Sequence, residues 1–588
     1  MKEKLKKLQG ELQNIFLSLL FGYFLSNIYL LIFNKSAVDA NQKFYADSVV
    51  LSEMLVLTLS FGLVCFSLHT AMKASVPWLL TFSAFSYIMV FEWKLQGKSP
   101  YVCFVFIALA LVFVLKCCPD IEFGKFISEK IKKIGVKRVE IFFVVVVSLI
   151  FFWFFSYGTV KRYEGYGSSC FDFGLFAQMF EYMAKTGIQY STLERNQLLT
   201  HFTVHFSPIF YLMLPFYMIW RTPQCLLVLQ ALVVISGVIP AYKLCKMFGL
   251  RRFETVMACI VYVSFPAFTS AGYYDIHENV FLAPLILWLM YFMRKENMIA
   301  TVVSTLLVLC VKEDAGFYLV FAGLYQLFSY KKKRIGAVVL SLGTVGFVLT
   351  NMFINIYGEG IKANRFDVFI TNQDAGLLGV IINVIKNPAY FMGMLLSPEK
   401  ILFVILMTLP LLFMCFKLKN WGDLFLLAPF LIINLSTEYT YQFSIDFQYI
   451  YGSGPLLYYL YLKNISACEN RRKLLVVSAM SSVLIWNFAV SGKYQLYVEA
   501  AKNTEPINAA NQCIESLDTT AVVYADTYIS PALYKFENVY LLDNADVSDA
   551  DYILLDTRNS NYKANLEKYI NEFPFYEEHG YVTVMSRE

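Results

Sequence analysis

The sequence predicts an all-α polytopic membrane protein with a small C-terminal α/β domain. Three observations lead there. The 588 residues are 58% hydrophobic and only 16% charged, with a mean hydropathy of +0.54, whereas soluble domains carry about 25% charged residues. Apolar runs of about 18 residues or more, enough to cross a bilayer, recur along the chain. From about residue 500 the composition turns soluble. The net charge of +5 is spread over loops and forms no basic stripe. The expected partner is therefore a lipid bilayer and not nucleic acid. The 12 cysteines are scattered, without a CxxC or a Cys/His zinc spacing, and read as packing residues.

The basic start MKEKLKKLQGELQN precedes an apolar run over 15–33, longer than a signal-peptide core, and reads as an uncleaved first span. Further spans are expected near 50–70, 76–95 and 100–116, making an N-terminal four-span region over 1–120. The loop that follows carries Lys125, Lys130, Lys132, Lys133, Lys137 and Arg138. Lys and Arg are retained on the cytoplasmic side, so this loop and the N-terminus are placed inside. A fifth span near 140–159 then delivers a large loop, 161–222, to the outside.

In that loop Asp172 stands in an aromatic frame of Phe171, Phe173 and Phe176, and His201 and His205 lie near its end. Phe173–Lys185 is apolar at helical spacing and reads as a helix along the membrane surface. Phe206–Trp220 is short and holds Pro208 and Pro215, so it reads as interfacial or re-entrant. Taking it so keeps every later basic cluster inside: Lys243 to Arg252, Arg294 with Lys295, KKKR over 331–334, Lys417 with Lys419, and Lys463 to Lys473. The total is about fifteen spans over a membrane domain that runs to 495. The region 496–588 is expected outside. Its strands are AVVYAD, VYLLD, DYILLD and YVTVM, and its helices are Thr504–Leu517 and Asn561–Phe573.

This topology collects the polar residues on one face. Asp172, His201 and His205 are joined there by Arg195, by Asp275, His277 and Glu278, by Lys312, Glu313 and Asp314, and by Asp446 and Gln448. Ionisable groups near lipid face a cavity or one another. Each group has a plainer reading: Asp172 could cap a helix, the i,i+4 histidines could be interfacial or suit a metal, and the tyrosines near 439–451 fit an aromatic belt.

The ordered strings FDFGLFAQ, HFTVHFSPIFYLMLPFY, LLVLQALVVISGVIPAYKLCKMFGL, YYDIHENVFLAPL, VKEDAGFYLVFAGL, SIDFQYIYG and DADYILLD resemble a family of predicted prokaryotic integral membrane proteins, over roughly residues 140–588. That family is grouped with the GT-C glycosyltransferases and is similar to protein mannosyltransferases and lipid A aminoarabinose transferases. The resemblance implies a GT-C-like helical bundle with surface-lying external helices. It also implies a polyprenyl-phosphate sugar donor, an extracytoplasmic acceptor, and Asp172 at the catalytic acid position. One departure is plain: phenylalanines flank Asp172 where many GT-C enzymes carry a second acid. On this reading Asp172 is the general base. Lys312, then Arg195, then His201 or His205, supply positive charge for the leaving phosphate. Asp275, His277 and Glu278 bind sugar hydroxyls or a divalent cation, with no other cofactor expected, and the external α/β domain is a candidate to orient the acceptor. A flippase for lipid-linked glycans and a non-catalytic scaffold are the alternatives.

Overall fold

The computed structural model describes residues 2–33, 50–72, 75–95, 139–330, 332–358, 367–369, 376–543 and 545–587. The expected span 100–116 and the basic loop to Arg138 lie outside the described residues. Among those described, six helices are long and apolar enough to cross a membrane: Leu8–Phe33, Leu51–Ala71, Val139–Glu164, Pro223–Met247, Lys333–Tyr357 and Arg471–Ala500. A seventh span forms if Arg252–Ser264 and Pro266–Tyr273, bent by 42°, are taken together. The protein is a multi-pass membrane protein.

Several other expected spans are shorter helices, including Leu282–Arg294, Met298–Leu309, Ala315–Ser329 and Ser453–Ile465. At 1.5 Å per residue these reach roughly 18–23 Å, less than the hydrocarbon thickness. Polar turns interrupt them, and those turns bear the site. Phe206–Trp220 is a 3₁₀ turn, Pro208–Leu212, and a six-residue helix, Leu214–Ile219. Leu212, Phe216, Met218, Ile219 and Trp220 are exposed there. Helices Ala315–Ser329 and Lys333–Tyr357 pack closely because glycines face the contact. A Cβ on Gly323 would lie 2.6 Å from the Leu340 nitrogen, and one on Gly343 would lie 2.7 Å from Leu319 Cβ.

The long helix Val139–Glu164 defines the two polar ends of the bundle. At one end Glu140 lies 3.6 Å from both Lys246 and Arg252. At the other, Arg162 Nη1 lies 3.0 Å from Asp275 Oδ1. Along a helix these two positions are roughly 33 Å apart, about one bilayer core. Lysines and arginines gather at the first end and the candidate site at the second.

The large loop pairs two short antiparallel strands, β1 (Tyr190–Ser191) and β2 (Leu199–Thr200), and the C-terminal unit is a five-stranded sheet. Strands β3 (Val522–Ala525), β4 (Asn538–Leu541), β5 (Tyr552–Asp556), β6 (Phe575–His579) and β7 (Val582–Ser586) stand in the order β4-β3-β5-β7-β6. β4, β3 and β5 are parallel, and β7 and β6 are antiparallel. The alternation of each strand sorts its side chains. Val523, Ala525, Val539 and Leu554 pack with helix Thr504–Ser516 and with Tyr166, Cys170 and Leu193 of the large loop. Ile553, Leu555 and Met585 pack on the other face with Tyr569 and Phe573. Strand β6 was not expected, because FYEEH is polar and lies exposed at an edge.

The opposite edge, β4, is closed by the loop. Thr192 Oγ1 donates to the Val539 carbonyl and accepts from its amide at 3.1 Å. Asn196 donates Nδ2 to the Leu541 carbonyl and accepts its amide, both at 2.7 Å. Two side chains thus stand in for a neighbouring strand. Arg558 ties down the helix exit, donating to the Gly165 and Tyr166 carbonyls while its fork also holds Asp556. Asn196→Ala should loosen this seam by about 1–3 kcal/mol, two ordinary hydrogen bonds. Hydrogen exchange should then speed up over 190–200 and at Leu541 but not at Ile553, and uniform exchange would show that the seam is not a local lock.

Candidate active site

Asp172 sits in a turn that costs energy to hold. Its φ of 67° and ψ of −73° are those of a left-handed γ-turn, rarely adopted by a non-glycine residue. The turn is pinned from outside: the Cys170 amide donates to the Thr527 carbonyl at 2.6 Å, and Gly174 lies against Pro531 of the C-terminal unit. Asp172 does not cap the following helix, Leu175–Thr186, whose N-terminus receives no side-chain hydrogen bond. Phe171 beside it is 62% exposed, while Phe173 and Phe176 are buried. Burial raises the Asp172 carboxyl to about 6; Glu278 adds to the rise, and Lys312 and His205 oppose it. The charges of Glu278 in the DIHE turn and Lys312 in the KED turn therefore act on Asp172.

Two poles flank this carboxyl. The first is basic. Lys312 Nζ lies 3.0 Å from Glu278 Oε1, with both side chains almost wholly buried. His277 Nδ1 lies 3.1 Å from Glu278 Oε2. Burial alone would push Glu278 up, but His277 and Lys312 prevail and hold it far below the usual range. Burial lowers Lys312, yet Glu278, Glu313 and Asp314 hold it above its ordinary value, so it stays an ammonium. His205 Nδ1 lies 2.9 Å from Glu313 Oε1, and Glu313 Oε2 accepts the Phe206 amide at 3.1 Å, which fixes the imidazole. His201 is buried with its Nδ1 3.9 Å from Glu194 Oε2. Two of the rings pack on Phe176, His201 at 5.3 Å and His277 at 5.9 Å, and His205 lies 5.6 Å from His201 and 6.5 Å from His277. The pole thus pairs three imidazoles with Glu194, Glu313 and Glu278. Asp314 precedes helix Ala315–Ser329. Arg195 shares a left-handed turn with Asn196, at φ of 56° and 54°.

The second pole holds Asp275. Its Arg162 partner lies over the rings of Tyr274 and Tyr497, at 5.2 and 5.5 Å. Burial raises the Asp275 carboxyl to about 7, Arg162 opposing and Asp172 adding. Asp446 accepts Ser270 Oγ at 3.3 Å and lies 2.6 Å from Lys493 Nζ. Gln448 is buried at the start of the turn Gln448–Ile450.

The divalent-cation set expected on Asp275, His277 and Glu278 is drawn apart, Asp275 toward Arg162 and Glu278 toward Lys312. Among the described residues no group of three His, Cys, Asp or Glu is placed to hold a metal ion. The residues present do not fit that ion.

Arg162, Glu194, Tyr274 and Lys493 were not singled out from the sequence. Arg162 did leave a signal: Lys161 and Arg162 stand at the expected external end of a span, against the usual charge bias. Glu194 left none, since an acid in a polar loop is unremarked.

Fold and site together describe a multi-pass membrane protein with a cluster of buried, paired polar side chains at one end of its bundle. The chain belongs to the family of predicted membrane proteins DUF2079, which matches residues 162–582. No curated protein matches it in sequence. Among solved structures it is similar to ArnT from Cupriavidus metallidurans bound to undecaprenyl phosphate, at 10% identity and a TM-score of 0.49, over 77% of this chain and 99% of that one. It is also similar to the Archaeoglobus fulgidus oligosaccharyltransferase in complex with Zn and sulfate, at 12% identity and 0.41, over 72% and 69%. The arabinofuranosyltransferase AftD from Mycobacteria follows at 11% identity and 0.44, over 75% and 39%.

Proposed function

We propose that the chain is a GT-C type glycosyltransferase that moves a sugar from a polyprenyl-phosphate donor to an extracytoplasmic acceptor, with Asp172 as general base. The observation that carries this reading is the position of Asp172: a carboxyl raised to about 6, held in a strained turn between a buried ammonium and a second raised carboxyl. A base poised near the working pH is what proton removal from a hydroxyl needs.

The roles follow from the two poles. The phosphate departs toward Lys312, whose ammonium has three N–H donors of which Glu278 takes one direction. His205, oriented by Glu313, and His201 add donors there. The acceptor hydroxyl approaches from the Asp275 side, loses its proton to Asp172, and attacks the anomeric carbon as the bond to the phosphate oxygen breaks. The lipid donor enters sideways from the bilayer past the exposed Phe171 and the segment 208–220. The basic end of the bundle faces the cytoplasm by charge bias, which puts the site and the C-terminal unit outside.

The test uses the full chain in proteoliposomes loaded with undecaprenyl-phosphate-linked radiolabelled sugars. Sugar should leave the lipid at a rate that climbs about tenfold per pH unit below 6 and levels above it, as the Asp172 carboxyl ionises. No consumption of any monophosphate-linked sugar, or a rate that falls as pH rises through that window, would overturn the proposal.

A further inference from the structure

We propose that the pole opposite Lys312 is a carbohydrate subsite, taking the neutral pyranose ring of a glycan acceptor on the ring of Tyr441 and beside the Asp446–Lys493 pair. It deepens the transferase reading and rests on it for the direction of transfer.

The case begins with charge. Each acid of this pole is paired, Asp446 with Lys493 and Asp275 with Arg162. Phosphate is served on the other side by Lys312 and its histidines. A polyol without charge is the ligand class that suits a balanced, polar wall.

Shape and exposure agree. A pyranose offers an apolar C–H face and a rim of hydroxyls, so it needs an aromatic ring beside groups that both donate and accept. Tyr441 is 43% exposed and stands edge-on to Phe447, with centroids 4.4 Å apart. Phe447 in turn packs 4.8 Å from Tyr274, which lies under the Arg162 guanidinium. Contact therefore runs from an open ring to the Asp275 ion pair. The Asp446–Lys493 pair keeps 37% and 29% of its side-chain surface open. The Glu278–Lys312 pair, by contrast, is closed at 0% and 6%. A carboxylate and an ammonium left accessible next to an open tyrosine can exchange water for sugar hydroxyls.

The experiment measures binding without turnover. The full chain in lipid nanodiscs, saturated with undecaprenyl phosphate, is probed by saturation-transfer NMR with methyl glycosides of glucose, galactose, mannose and N-acetylglucosamine. At least one should receive transfer at its ring protons. That signal should fall about fivefold or more in Tyr441→Leu and in Asp446→Asn, the scale of a lost aromatic contact, and persist in Asp172→Asn. Tyr441→Leu keeps an apolar side chain, so a tyrosine serving only the membrane belt would leave sugar binding unchanged. Absence of transfer to every glycoside in the wild type overturns the subsite, as does a signal unchanged in both variants. Sugar binding with those losses, but without any turnover of lipid-linked sugar, supports the subsite and counts against the transferase reading alone.

Discussion

Replacing Lys312 with methionine lowers the stability of the protein by about 3–5 kcal/mol, and adding Glu278→Gln in the same chain restores most of it. Both side chains are nearly inaccessible and only 3.0 Å apart. Removing the ammonium alone leaves a carboxylate buried with His277 as its one close partner. Removing both charges leaves an amide beside a thioether, which the interior tolerates. The doubly substituted chain should therefore fold and still be inactive, because nothing at that pole then offers the phosphate a buried positive charge. Apparent melting in detergent, read with the rate of sugar release, separates the two effects. If the double variant melts as low as Lys312→Met, the pair is not the source of the loss. If it transfers sugar at the wild-type rate, Lys312 has no part in the chemistry.

Asp172→Asn produces a second pair of opposed effects. Transfer should drop by about 10²–10⁴, the usual worth of a positioned general base. Stability should rise. The folded carboxyl titrates at about 6, above its unfolded value, so the fold favours its neutral form. The stability this group contributes is complete at pH values below its unfolded range and is lost as pH rises through about 6. Asparagine never ionises, so the variant gains most at pH 7 and above. With some solvent access at Asp172, the gain is about 1–2 kcal/mol, a few degrees in apparent melting. A variant that melts below the wild type at pH 8, or one that keeps full activity, speaks against a strained and burdened carboxyl at this position.

Much of this arrangement can be read in the chain before any coordinates. A charged residue among phenylalanines, as at Asp172, is conspicuous because membrane-embedded segments tolerate so few. The same logic exposes the DIHE and KED turns, whose residues meet as the Glu278–Lys312 pair. The C-terminal strands are legible from their alternation, except β6, whose residues face water on both sides. Partnerships across long separations are not legible. Nothing local says that Arg162 belongs to Asp275 or Lys493 to Asp446, because each pairing depends on which helix ends reach one level. Asp172's left-handed backbone is equally silent, since its cause is the Thr527 carbonyl far along the chain.

The seam at strand β4 bears on biogenesis. Thr192 and Asn196 await Val539 and Leu541, which the ribosome makes 347 and 345 residues later. The Asp172 turn waits on Thr527 in the same way. A nascent polypeptide thus presents its Asp172 segment long before the parts that shape it have been synthesised. The Asp172 turn and the edge of the large loop reach their final shape only once residues 522–541 have been made and paired with them.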